Sequence, residues 1–251
     1  MNYLPLMVGA EAVSPMVYWI LIACAAVALV LYVREKIKAY SLKAVLIKSV
    51  VSALFIAVGV YGLFGPAAYG DGYPAGVFII MGLVCGLLGD IWLDLKYVFP
   101  EQDLLFTYAG FAVFGVGHVL YMTGMLVRFF PPGGMAYVLV PIVLAITMSF
   151  VNVALEKPMK LSYGRMKPVV LAYGVLLFST LLLSGSLALS YSWQEPALKL
   201  LFAGAILFTV SDLVLSGTYF GTGHERPIDF VLNYFTYYPA QFLIATALMF
   251  V

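Results

Sequence analysis

An all-α bundle of eight membrane-spanning helices is the fold this sequence predicts, and three observations predict it. Of its 251 residues, 64% are apolar and only 10% are charged, against about 45–50% and about 25% in an ordinary soluble domain. One water-soluble core cannot hide that much apolar surface, and the same composition excludes disorder. The apolar residues also fall into eight runs, each near the roughly 20 residues that a bilayer-crossing helix needs. Finally, the runs are apolar throughout, whereas a barrel would show alternating strands of about ten residues. Helices therefore satisfy the backbone inside lipid.

The runs cover 16–33, 45–64, 75–93, 104–126, 135–155, 168–190, 197–216 and 230–251. The first stops at Arg34-Glu35-Lys36. No Lys or Arg precedes it and the positive cluster follows it, so it reads as a retained span and not a cleaved signal segment. Gly65-Pro66 ends the second, and Gly70-Asp71-Gly72 leads into the third. Pro100-Glu101 precedes the fourth, and Pro131-Pro132-Gly133-Gly134 separates it from the fifth. Glu195-Pro196 divides the sixth from the seventh, and Gly223-His224-Glu225-Arg226 precedes the eighth. These are the residues that punctuate chains at turns. The whole chain, 1–251, is expected to be one transmembrane domain.

Lysine and arginine set the expected orientation. Ten of them (Arg34, Lys36, Lys38, Lys43, Lys96, Lys157, Lys160, Arg165, Lys167 and Arg226) follow the odd-numbered runs, while Arg128 and Lys199 lie on the other side. This predicts a multi-pass integral membrane protein with both termini non-cytosolic, in a bacterial inner membrane or an endoplasmic reticulum. Net charge is +1 with no long basic block, which argues against a nucleic-acid partner. Cys24 and Cys85 lie inside apolar runs and build neither a disulfide framework nor a metal site.

The third and seventh runs share a pattern. Gly82, Asp90 and Leu93 recur as Gly204, Asp212 and Leu215 at a shift of 122, and Lys48-Ser-Val-Val recurs loosely as Lys167-Pro-Val-Val at a shift of 119. Four runs separate the copies, so a parallel 4+4 internal repeat is expected.

Ionisable groups at membrane depth are costly and mark function by default. Asp90 and Asp212 sit near the cytosolic ends of the third and seventh runs, Lys48 sits one turn into the second, and His118 lies mid-way along the fourth. Tyr234, Tyr237, Tyr238 and Gln241 follow at helical spacing in the eighth, with Tyr173 in the sixth and Asn152 in the fifth. Nearly all fall in one leaflet, as the lining of a single cavity open to the cytosol would. Gly82, Gly86 and Asp90 repeat every four residues and form one stripe, whose small residues admit a close neighbour. Pro239 is expected to kink the eighth helix and leave the carbonyl of Phe235 without its usual partner beside Tyr238 and Gln241. Bland readings stand beside these: the aspartates snorkelling or pairing with Lys48, His118 as a hydrogen-bonded core residue, Lys48 as a topology charge, the tyrosines as an interfacial belt. Asp94, Glu101 and Asp103 read as solvated loop acids and His224 as exposed. One intramembrane histidine does not make a zinc site unless carboxylates dominate it, so neither a metal nor a cofactor is assigned.

The sequence resembles the YhhN family of multi-pass membrane proteins, the lysoplasmalogenases. The resemblance is carried by Gly89-Asp90-x-x-Leu93, Gly117-His118-x-x-Tyr121, Pro168-Val169-x-x-x-Tyr173, Ser211-Asp212-x-x-Leu215 and Tyr237-Tyr238-x-Ala240-Gln241. Lys48-Ser49 departs from it, since Lys-Pro is expected there. The resemblance implies hydrolysis of the vinyl ether of a lysophospholipid, lysoplasmalogen, to a fatty aldehyde and glycerophospho-ethanolamine or -choline. That chemistry needs a proton donor, a water-activating group and negative charge near an oxocarbenium ion, which two carboxylates in unlike surroundings supply, as in inverting glycoside hydrolysis. Asp90 and Asp212 are expected to share these roles in unassigned order, with His118 orienting one of them or relaying a proton. Lys48 is expected to meet the phosphate, and Tyr238 and Gln241 the glycerol oxygens. Tyr121, Tyr173 and Ser211 complete the expected substrate contacts. Another intramembrane lipid hydrolase, a small lipid transporter and a non-catalytic lipid-binding bundle are the competing readings. The glycine-rich faces leave open both a homodimer and purely internal packing.

Overall fold

A computed structural model describes residues 15–64, 72–221 and 227–251. The expected breaks at Gly65-Pro66 and Gly70-Asp71, and the loop residues His224 and Arg226, lie outside the described residues. The described residues form eight α-helices and no strand: α1 (Pro15–Lys38), α2 (Leu42–Phe64), α3 (Tyr73–Val98), α4 (Asp103–Arg128), α5 (Ala136–Ala154), α6 (Lys167–Ser190), α7 (Pro196–Phe220) and α8 (Pro227–Ala247). The all-α polytopic bundle is therefore observed. The first seven helices are long and apolar enough to cross a membrane. The eighth is less apolar because Asp229, Asn233, Tyr234, Tyr237, Tyr238 and Gln241 are all buried on it.

Local chemistry explains many helix ends. Proline opens α3, α6 and α7 within their first two positions, where a missing N–H is no loss and φ is already helical. Pro141 inside α5 leaves the carbonyl of Tyr137 without its helical partner. The Ser186 hydroxyl of α6 donates to that carbonyl at 2.8 Å, so the defect becomes a tie between two helices. Pro239 likewise lies within a continuous α8. Helices α1, α3 and α7 run four or five residues past the apolar runs, to Lys38, Val98 and Phe220. Their ends still have something to pack on, since Lys36, Asp94 and Thr218 in these extensions are buried.

Neighbouring helices pair as α1–α2, α3–α4, α5–α6 and α7–α8, with α2 against α3 and α6 against α7. The halves join chiefly through α4 on α6 and α8 on α2, with a smaller contact of α3 on α8, and each neighbouring pair within one half has its counterpart in the other. The glycines of the sequence repeat occupy matching crossings. A Cβ on Gly82 would stand 3.1 Å from the Gly117 carbonyl of α4, and one on Gly204 would stand 3.0 Å from the Ala240 carbonyl of α8. Only a hydrogen at these positions lets the backbones approach that closely.

Candidate active site

The polar side chains converge at the end of the bundle where α1, α3, α5 and α7 finish and α2, α4, α6 and α8 begin. A partly open cavity lies there. Its walls are largely apolar, with Phe111, Phe114, Leu177 and Phe178 among them, and its polar groups include Lys48, Asp90, Asp94, Asn152, Tyr173, Ser211, Asp212 and Tyr237. Asp90 and Asp212 thus line the same cavity, from α3 and α7.

Their partners differ. Asp90 is 2% exposed. The Lys48 ammonium stands 3.2 Å from its Oδ1, while Ser52 Oγ and the Tyr237 hydroxyl donate to its Oδ2 at 2.6 and 2.9 Å. Lys48 and Ser52 are one turn apart on α2, so a single helical face delivers a cation and a hydroxyl to one carboxylate. Charge-assisted bonds of this kind favour an ionised acceptor. Asp212, half-buried, forms no ion pair among the described residues; the Tyr173 hydroxyl of α6 donates to its Oδ2. The Tyr173 oxygen also lies 3.3 Å from Nε2 of His118, whose Nδ1 lies 3.1 Å from Thr180 Oγ1. A hydrogen-bonded chain, Asp212–Tyr173–His118–Thr180, leads from the cavity wall into the bundle.

Asp94, expected as a solvated loop acid, is 3% exposed on its side chain and bound on all sides. Lys36 Nζ reaches its Oδ1 at 2.8 Å, Lys48 Nζ the same oxygen at 3.3 Å, and the Tyr32 hydroxyl its Oδ2 at 2.8 Å. The sequence reading went wrong because α3 continues one turn beyond its apolar run and carries Asp94 with it. Glu101 and Asp103 are exposed as expected. Lys36 is likewise a buried partner rather than a loop charge. The spacing did hold a signal: Asp94 follows Asp90 by four residues, as Lys36 follows Tyr32, which places each pair on one helix face.

Of the other expected residues, Tyr173 and Ser211 line the cavity, although Asn233 Nδ2 already donates to the Ser211 hydroxyl at 2.9 Å. Lys48 is spanned between two carboxylates, so a phosphate would have to compete with both for it. His118 does not line the cavity. With Tyr121 it borders a small separate void behind Tyr173. Tyr121 donates to Gln241 Oε1 at 2.9 Å, and Gln241 Nε2 donates to the Tyr237 oxygen at 3.1 Å. Gln241 and Tyr121 therefore stand behind Tyr237. Tyr238 is buried edge-on against Tyr237 and also misses the cavity wall. Tyr237 touches Asp90 in place of its neighbour, and it was legible as a member of a polar stripe and of the Tyr237-Tyr238-x-Ala240-Gln241 motif, without a role of its own. Among the described residues no three His, Cys, Asp or Glu side chains come together as metal ligands.

The loop between α5 and α6 caps this end of the bundle. Tyr163 packs edge-on against Phe220, and the Ser162 amide donates to the Phe220 carbonyl at 2.8 Å. Glu156 secures the loop, accepting from Lys167 Nζ and from the Tyr163 amide, each at 2.7 Å. Lys167 first, and then that amide, holds the Glu156 carboxyl below the usual glutamate range.

A family model described as the YhhN family matches residues 43–248, which takes in every helix except α1 and every polar group of the cavity wall. No curated protein and no solved structure matches the chain.

Proposed function

The chain belongs to the YhhN family, and from that premise we propose that it is a lysoplasmalogenase, an intramembrane hydrolase of the vinyl ether of lysoplasmalogen. The observation that carries the reading is the unequal partnering of two carboxylates on one cavity wall: Asp90 faces an ammonium and two hydroxyls, Asp212 a single phenol.

Asp212 is the proton donor and Asp90 the ionised base. Asp212 delivers its proton to the β-carbon of the vinyl ether, leaving an oxocarbenium ion whose charge the carboxylates offset. Water adds to the α-carbon and gives a proton to Asp90. The hemiacetal then transfers its hydroxyl proton to the glycerol oxygen and splits into aldehyde and alcohol. Asp90 returns its proton to Asp212, so one water is consumed and no proton is gained or lost. No enzyme nucleophile is required.

The chain behind Asp212 suits a group that must hold and release a proton. With Asp212 ionised, Tyr173 donates to it, Nε2–H of His118 donates to Tyr173, and Thr180 donates to Nδ1. With Asp212 protonated, every bond reverses: Asp212 donates to Tyr173, Tyr173 to Nε2, and Nδ1–H to Thr180. The Thr180 hydroxyl then turns to the Leu176 carbonyl, 3.0 Å away. Neither state strands a buried donor, an omission that costs about 1–3 kcal/mol. The apolar walls accept one hydrocarbon tail, and the polar end faces the lysine-rich side, where the headgroup sits at the cytosolic surface.

The test is to incubate purified protein with a lysoplasmalogen and, in parallel, its acyl-ester analogue, and to identify products by mass. Fatty aldehyde from the first and little fatty acid from the second is the expected result. Ester cleavage alone, or no cleavage of either, overturns the reading.

A further inference from the structure

Asp90 ends a row of four buried charges that the proposed reaction does not use in full: Lys36, Asp94, Lys48 and Asp90 itself. Their contacts run in that order. Lys36 Nζ is 2.8 Å from Asp94 Oδ1, Lys48 Nζ is 3.3 Å from the same oxygen, and Lys48 Nζ is 3.2 Å from Asp90 Oδ1. Aromatic faces line the row, with Lys36 over the Tyr97 ring at 4.3 Å and Lys48 between the Tyr32 and Tyr234 rings at 5.8 and 5.6 Å. Two ammonium groups balance two carboxylates, and all four side chains are buried. A buried charge left without its counterpart is strongly unfavourable, so each member depends on the whole row.

Lys36 comes from α1, and no ion pair joins it to Asp90. We infer that Lys36 is a positioning residue that acts on Asp90 through Asp94 and Lys48. By satisfying Asp94, it leaves the Lys48 ammonium available to Asp90. Without Lys36, one ammonium serves two carboxylates, and Lys48 is drawn toward Asp94 and away from the catalytic wall. Its role in turnover rests on Asp90 being the base of the proposed hydrolysis; the coupling itself does not.

Two measurements on the purified full-length protein in detergent test this separately. The first is thermal melting of Lys36→Met, Asp90→Asn, Asp94→Asn and the double variants. Lys36→Met lowers the melting temperature, and it lowers it less when Asp90 is already Asn, because Lys48 is then free for Asp94. Such non-additivity between two side chains that do not touch is the expected signature. Strictly additive shifts overturn the inference, whether or not the protein cleaves a vinyl ether. The second measurement is turnover. Lys36→Met lowers kcat about tenfold with little change in KM, and Lys36→Arg, which keeps the charge, retains more activity than Lys36→Met. Adding Asp94→Asn to Lys36→Met restores most of the lost kcat, because Lys48 then faces one carboxylate only. A double variant no faster than Lys36→Met overturns the role in turnover. Wild-type protein with no aldehyde release instead sinks the proposed function, and the melts alone then decide the coupling.

Discussion

The Tyr237 hydroxyl of α8 donates to Oδ2 of Asp90 on α3 across 2.9 Å, and the amide nitrogen of Gln241 in turn donates to that same phenol oxygen. Asp90 is thus held by groups from both ends of the sequence. A hydrogen bond to a charged group is worth about 1.5–3 kcal/mol. Tyr237→Phe is therefore expected to lower aldehyde release by roughly tenfold or more while the protein still folds, since Phe keeps the ring contact with Phe114. Gln241→Leu, one bond further away, is expected to cost less. A Gln241 variant slower than the Tyr237 variant contradicts this order.

Asp90→Asn and Asp212→Asn should each abolish aldehyde release, for different reasons. Asn at 90 leaves the Lys48 ammonium without the carboxylate of Asp90 as its acceptor, so that variant should also melt lower than wild type. Asn at 212 removes no ion pair, and its melting temperature should stay close to wild type. Full activity in either variant removes that residue from the mechanism, and equal losses of stability contradict their unequal partnering.

Tyr173→Phe and His118→Gln test the proton chain behind Asp212. Each should lower kcat, Tyr173→Phe more, because it removes the only hydrogen bond described for the Asp212 side chain. The double variant should be barely slower than Tyr173→Phe, since His118 reaches Asp212 only through that phenol; residues acting in one network do not add. Additive losses in kcat show instead that His118 acts by another route.

The Glu156 carboxyl lies below the usual glutamate range because Lys167 and the Tyr163 amide bind its charged form. A group depressed on folding adds stability above its unfolded value, and that stability disappears as pH falls through the folded value. Glu156→Gln should therefore melt below wild type near neutral pH, and the difference should begin to shrink below about pH 4.3 and close as the pH falls through the lower folded value. A difference that persists in acid points to packing of the loop rather than charge.

Much of this arrangement was legible from composition and spacing. Eight apolar runs gave eight helices, and the shared depth of Asp90, Asp212, Lys48 and Tyr173 corresponds to a single cavity wall. What escaped was decided by packing beyond the apolar pattern. A hydropathy run ends where charge begins, yet α1 and α3 continue as helix because Lys36 and Asp94 find each other there. Rotation was equally hidden. The stripe of Tyr234, Tyr237, Tyr238 and Gln241 marked a polar side of α8, but only the three-dimensional turn of that helix aims Tyr237 at Asp90 and Tyr238 away from the cavity. Nothing in the spacing distinguished a histidine lining the cavity from one standing behind a tyrosine.

The matched crossings of Gly82 and Gly204 put Asp90 and Asp212 at corresponding positions in two similar halves, yet the lysines that align with one another, Lys48 and Lys167, have gone separate ways. Lys48 is buried on Asp90, whereas Lys167 lies outside the bundle on Glu156, its side chain 52% exposed. Lysines at loosely corresponding positions thus face opposite ways, and with Lys167 turned outward Asp212 has no cation on it among the described residues, while Asp90 keeps one.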